Sequence, residues 1–159
     1  MKGSPLPVSL LKDPVHLFAL GFGSGLAPTA PGTVGTLVGV AIYAALPAMS
    51  LPVYLAFVLV TAAFGVWVCG RSARALGVHD HGGIVWDELV GYWITMIAAP
   101  AGWPWMALGF VLFRLFDIVK PWPIRLLDAK VHGGLGIMLD DILAGVFAAV
   151  CLQWLRMVL

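Results

Sequence analysis

The acidic residues are few and grouped. "GIMLDDILAG" (136–145) sets Asp140 beside Asp141, and "GIVWDELVG" (83–91) sets Asp87 beside Glu88. Asp117 stands in "FRLFDIVKP" (113–121), between Arg114 and Lys120, and Arg125 follows shortly after. Several carboxylates with few histidines and cysteines suit a hard divalent cation, Mg²⁺ or a similar ion. Such an ion with Arg and Lys nearby makes a phosphate-handling set. The metal neutralises phosphoryl oxygens and activates water, arginine clamps oxygens bidentately, and lysine supplies a point charge. Asp87, Glu88, Asp117, Asp140 and Asp141 are therefore candidate catalytic and metal-binding residues, and Arg114, Lys120 and Arg125 are candidate phosphate ligands.

The plainer alternative is helix capping. Asp87 and Asp140 each precede an apolar run, where a carboxylate satisfies free N–H groups and suits the positive end of the dipole. A cap needs one carboxylate, however, and each place has two. Asp117 falls late in an apolar stretch, where the dipole disfavours it, and an intrahelical pair with Arg114 is the structural reading there. The stretch "GFGSGLAPTAPGTVGTLVG" (21–39) is a second candidate for anion contact, through backbone N–H groups and Thr33 at a helix start. Gly35 and Gly39 read instead as helix-packing positions. "HDH" (79–81) reads as a polar turn before Gly82-Gly83.

These groups are set in a very apolar chain. Of 159 residues, 61% are hydrophobic and 11% charged, against roughly 25% charged in ordinary globular proteins. So few charges cannot cover a water-soluble sphere, and a net charge of +1 argues against a nucleic-acid partner. Cys69 and Cys151 lie in apolar stretches and imply neither a disulfide framework nor a zinc site. No cleavable signal pattern is evident.

The expected architecture is all-α: a single domain over 1–159, built as a multi-span membrane bundle of four to five short spans after a short N-terminal helix at His16–Leu20. The spans are Val34–Leu46, Val53–Cys69, Ile84–Ala99, Trp105–Val119 and Ile142–Leu159, each bounded by Pro, Gly or charge. Loops 47–52 and 100–105 carry no charge, whereas Lys2, Lys12, Arg71, Arg74, Lys120, Arg125 and Lys130 mark the other side as cytoplasmic. All Asp and Glu residues fall on that side, and Arg156 alone is expected at the opposite face.

Phospho-aspartate, cysteine-phosphatase, histidine lipid phosphatase and CDP-alcohol phosphotransferase motifs are absent. The stretches "GFGSGLAPTAPGTVG", "GVHDHGGIVWDELVGYWIT", "FRLFDIVKPWPIRLLD" and "VHGGLGIMLDDILAG" together resemble the phosphatidylglycerophosphatase A family, in order and over nearly the whole chain. The resemblance implies a Mg²⁺-dependent lipid phosphatase of the bacterial inner membrane, with its active site facing the cytoplasm. It would convert phosphatidylglycerophosphate into phosphatidylglycerol and inorganic phosphate. It carries the family's acidic motifs to Asp87 and Glu88, to Asp117, and to Asp140 and Asp141, and its basic motif to Lys120. The competing class is a cation-binding membrane transport protein, whose acids would line a path; here they gather at one end. The charge asymmetry yields a test: a cysteine placed at position 82 or 134 should resist an impermeant thiol reagent applied to intact cells, and labelling from outside would overturn the orientation.

Overall fold

The computed structural model describes residues 6–78 and 80–158; Lys2 and His79 lie outside them. A 3₁₀ turn at Val8–Lys12 leads into α1 (Pro14–Ala19), and a second at Gly21–Leu26 leads into α2 (Pro31–Ala45). There follow α3 (Leu51–Leu76), α4 (Trp86–Thr95), α5 (Trp103–Val119), α6 (Ile124–Lys130) and α7 (Gly133–Val158). No strand occurs among the described residues, so the fold is all-α as expected.

Two helices, α3 and α7, are each long and apolar enough to cross a membrane. In α3 only 22% of the apolar window is buried, unlike the core helix of a soluble protein. Val60, Val111, Ile118 and Val150 turn apolar side chains outward from α3, α5 and α7. These features fit membrane association. The other helices are shorter: α4, expected over Ile84–Ala99, has only ten residues, which gives it a length of about 15 Å. Its next turn bends at Ala98 (φ 54°), where a non-glycine residue cannot continue a right-handed helix.

Two boundaries differ from expectation in ways that matter for the site. Helix α3 does not stop at Cys69 but carries Arg71 and Arg74 on to Gly77, whose left-handed backbone (φ 68°) closes it. Helix α7 begins at Gly133, not Ile142. Apolarity alone placed that start after the charges, whereas 133–141 winds as helix with Gly134 packed on Gly70 of α3. Residues 124–130, expected as loop, form α6.

α4 is the central element, with nine of its ten residues buried. Its aromatic side chains tie it to three neighbours. Trp93 Nε1 donates to Gly39 O of α2 (3.0 Å), Trp86 Nε1 donates to Thr61 O of α3 (3.1 Å), and Tyr92 OH donates to Met106 O of α5 (3.2 Å). Tyr54 OH of α3 donates back to Trp93 O (2.8 Å). Against α7 the approach is backbone to backbone. A Cβ at Gly145 would lie 2.5 Å from Gly91 O, and one at Gly91 would lie 2.9 Å from Asp141 O. Gly35 and Gly39 are likewise packing positions, against Val85 and Leu89.

The two ends of the bundle differ. At one end Gly70 meets Gly134, near Arg71 and Arg74. At the other, Gln153 Nε2 donates to Ile97 O (3.0 Å) and Arg156 Nη1 to Ala98 O (3.2 Å), satisfying carbonyls just past the end of α4. An apolar cavity of about 470 Å³ lies at that second end, lined by Tyr43, Leu46, Met49, Tyr54, Met96 and Met106 among others.

Position 134 is too tightly packed for a labelling cysteine, since a Cβ there would overlap Val66 O, whereas Gly82 faces open space. The same geometry predicts that Gly145→Ala destabilises the protein by about 1–3 kcal/mol, as overpacking does, and lowers activity by parting α4 from α7. Gly82→Ala is the matched control. Unfolding midpoints in detergent check this, and equal midpoints for the two variants would refute it.

Candidate active site

Asp87 and Glu88 occupy the first turn of α4, after Val85 at its N-cap. No side chain caps this helix, so the two acids gain from the dipole without serving as N-cap residues. Val85 N is held by Ala19 O (2.9 Å), which fixes the entry of the helix against the end of α1. Asp140 and Asp141 lie two turns inside α7. The capping reading of Asp140 is thereby excluded, and the two acidic pairs do not mark two similar helix starts: Gly82-Gly83 precedes its helix, whereas Gly133-Gly134 opens the other.

The helices bring the acids together. Single carboxylate oxygens of Asp87, Glu88 and Asp141 lie within 4.8 Å of one another. Asp87 is 8%, Asp140 9% and Asp141 3% exposed. Arg114 Nη1 bonds Asp117 Oδ2 within α5, the intrahelical pair anticipated above, and also lies 3.9 Å from Glu88 Oε1. Lys120 closes α5 in a left-handed conformation (φ 44°). Its Nζ sits 2.6 Å from Asp140 Oδ2 and 3.1 Å from Asp128 Oδ2. Burial alone would lower the pKa of Lys120, but its hydrogen bonds to the Asp140 and Asp128 carboxylates outweigh that and raise it, so the ammonium stays charged at neutral pH.

All five acidic candidates thus share one region with Arg114 and Lys120. Arg125 does not join them; it is exposed on α6, outside these ion pairs. Thr33 is half-buried near the start of α2, and among the described residues no hydrogen bond links its side chain to the carboxylates. Asp128, expected on a solvated loop without a ligand role, is on α6 and paired with Lys120. The apolar cavity is remote from all of these.

The donor set passes a physical test for a hard cation. Asp87 Oδ1, Glu88 Oε2, Asp140 Oδ1 and Asp141 Oδ1 are buried without a hydrogen-bond partner. Buried polar atoms ordinarily have one, and clustered carboxylates cannot all stay ionised unless a cation sits among them. Oxygen donors at this spacing fit Mg²⁺ or a similar ion.

Gly32 was not singled out as a site residue. A Cβ there would overlap Glu88 Oε1 and lie 3.2 Å from Arg114 Nη1, so its missing side chain lets α2 close over the pair. The signal in the sequence was a glycine directly before Thr33, but the glycines around it in 21–39 serve packing, and spacing alone did not separate them.

Fold and site together define an all-helical protein, with two helices that fit membrane association and a buried carboxylate cluster fit for a hard cation and flanked by Arg and Lys. The chain matches the family description "Phosphatidylglycerophosphatase A" over residues 17–156. It is 49% identical over 140 residues to phosphatidylglycerophosphatase A of Escherichia coli strain K12, covering 87% of this chain and 81% of that protein. It is 44% identical over 151 residues to the protein of the same name from Haemophilus influenzae, covering 94% and 93%. A third relative, from Bacteroides thetaiotaomicron, is 39% identical over 151 residues and provisionally named a phosphatidylinositol-3-phosphatase. No solved structure matches. The chain belongs to the phosphatidylglycerophosphatase A family and is a phosphatase.

Asp87→Asn and Asp141→Asn should each lower turnover by at least about a hundredfold, in the range for loss of one catalytic group, while folding is kept. Asn preserves shape and removes charge. The control is Asp13→Asn, an exposed residue whose side chain accepts from Val15 N (2.8 Å) at the start of α1, a role Asn fills. Phosphate release with matched expression and melting is the measurement, and near-normal rates for the first two variants would make the carboxylates structural.

Proposed function

We propose that the protein hydrolyses the terminal phosphomonoester of phosphatidylglycerophosphate, giving phosphatidylglycerol and inorganic phosphate, and that it needs Mg²⁺. The observation that carries this reading is the convergence of Asp87, Glu88 and Asp141, with unpartnered buried oxygens, beside Arg114 and Lys120. Membership of the family supports the substrate. The phosphatidylinositol-3-phosphatase name of the third relative makes the headgroup the feature to test.

Asp87, Glu88 and Asp141 would hold the ion. When bound, it supplies charge neutralisation at phosphoryl oxygens and a more acidic water. The reaction forms a bond between phosphorus and a water oxygen and breaks the bond to the glycerol oxygen. The chain's share is to bind the phosphate and move protons. Lys120 can meet a phosphate oxygen, because an ammonium has three donors and the two carboxylates beside it leave one over. A carboxylate oxygen not taken up by the ion can accept the proton of the attacking water and return it to the leaving glycerol oxygen.

The whole chain is one domain of the inner membrane in this proposal. Helices α2 and α5 join α3 and α7 as shorter crossings, α4 dips in as the central element, and the site faces the cytoplasm. Lys and Arg near the helix ends on the site's side support that orientation. Of the two cysteine positions considered above, Gly82→Cys is the one that tests it without disturbing packing.

Purified full-length protein should release phosphate from phosphatidylglycerophosphate with Mg²⁺ and lose this activity in excess chelator, recovering it on Mg²⁺ addition. Phosphatidylinositol 3-phosphate should be turned over more slowly. Full turnover in chelator would refute the metal dependence, and faster release from the inositol lipid would refute the substrate.

A further inference from the structure

Two of the acids already have a cation of their own. Arg114 is bonded to Asp117 inside α5, with side chains only 15% and 13% exposed. Lys120 is bonded to Asp140 across α5 and α7, and to Asp128 on α6. Among the described residues Asp87 and Asp141 form no ion pair, although they are the two acids most in need of one: each is more than nine-tenths buried, and each has an oxygen without a partner. An ionised carboxylate in that position is strongly unfavourable unless a cation or proton joins it. Glu88 stands between the two groups. Its Oε1 faces Arg114 at 3.9 Å, and its Oε2 has no partner.

Resting on the metal-dependent reading above, we propose that the five carboxylates are divided. The divalent ion is held by Asp87 and Asp141 with Glu88 Oε2. Asp117 and Asp140 are not ligands but positioning residues: they hold Arg114 and Lys120 as built-in counter-charges on either side of the ion. Asp128, to which nothing else assigns a role, shares Lys120 and sets where its ammonium lies. This departs from an expectation in which all five acids bind metal and both cations serve only phosphate. Gly32 belongs to the same arrangement, since any side chain there would push Glu88 off Arg114. Asp140 differs from Asp117 in that its Oδ1 is unpartnered while its Oδ2 takes Lys120.

The division can be tested through ion binding, apart from turnover. Trp86 is next to Asp87 and can sensitise Tb³⁺ luminescence in the full-length protein in detergent, with Mg²⁺ as competitor. Asp87→Asn and Asp141→Asn should weaken Tb³⁺ binding by more than about a hundredfold, beyond the 10–100-fold typical of outer-shell partners. Asp117→Asn alone leaves Arg114 uncompensated and should weaken binding less. Removing the pair together, Asp117→Asn with Arg114→Gln, should restore affinity to within about threefold of the parent, the mark of a self-contained pair in a double-mutant cycle. Asp140→Asn with Lys120→Gln should do the same, and this more exposed pair serves if the buried one fails to fold. A pair variant that folds and still loses affinity as severely as Asp141→Asn overturns the division and leaves the metal reading standing. Failure of the parent protein to bind Tb³⁺ or Mg²⁺ at all overturns both.

Discussion

At Gly91 and Gly145 the backbones of α4 and α7 touch where side chains would otherwise stand. Much of the site depends on that approach. The first turn of α4 carries Asp87 and Glu88, and α7 carries Asp141 four residues before Gly145. Two Cβ atoms in the interface would move the helices apart and separate these oxygens. Close packing of small residues is the usual means by which apolar helices associate without a hydrophobic driving force between them. Here it also sets a distance between charges. Thr95 reinforces the contact by donating to Gly91 O (3.0 Å) and lying 3.4 Å from Gly145 O.

The cost of this arrangement is electrostatic, and the neighbours show how it is met. A short helix buried nearly all round would be a poor place for two acids at its C-terminal end. At its N-terminal turn the dipole helps both. Asp117 has the opposite problem, late in α5, and Arg114 one turn earlier answers it. Asp140 faces the end of α5, where Lys120 turns into a left-handed cap and reaches back. Of the five acids, Glu88, Asp117 and Asp140 have a cation nearby, and among the described residues Asp87 and Asp141 have none.

Much of this was legible in the sequence. Composition gave the all-helical apolar class, the grouping of charges gave one polar end, and the acidic motifs named residues that the fold brings together. Helix ends were read less well, because the reading treated charge as a boundary. Asp140 and Asp141 interrupt an apolar run, which makes a start after them the natural reading; the fold continues the helix through them, with Lys120 at the end of α5 pairing Asp140. Arg71 and Arg74 ended a span by the same logic, yet α3 simply continues past the apolar part. Helix α6 and the Lys120–Asp128 pair were missed because a seven-residue helix makes only about two turns and carries little periodicity. The role of Arg156 was half legible: its place at the far end followed from charge counting, but the carbonyl it satisfies follows only from the early stop of α4.

That early stop explains the unequal ends. Past the ten-residue helix the chain turns, and Gln153 and Arg156 of α7 reach the Ile97 and Ala98 carbonyls from one side. Between Asp141 and Arg156 the helix rises roughly 22 Å, so the polar groups of α7 sit at opposite ends with an apolar stretch between. A reaction on a phosphomonoester needs water, and a diacyl lipid carries tails that avoid it. In the proposed reaction a cluster toward one end of an apolar bundle would serve both, with headgroup and water on the polar side and the outward-facing side chains of α3, α5 and α7 in a medium like the tails. A cluster at mid-bundle would have to carry the phosphate through the apolar stretch, against the several kcal/mol that burying unpaired charge costs. The position of the acids along the helices, as much as their identity, therefore suits the proposed reaction at a membrane surface better than a path through it.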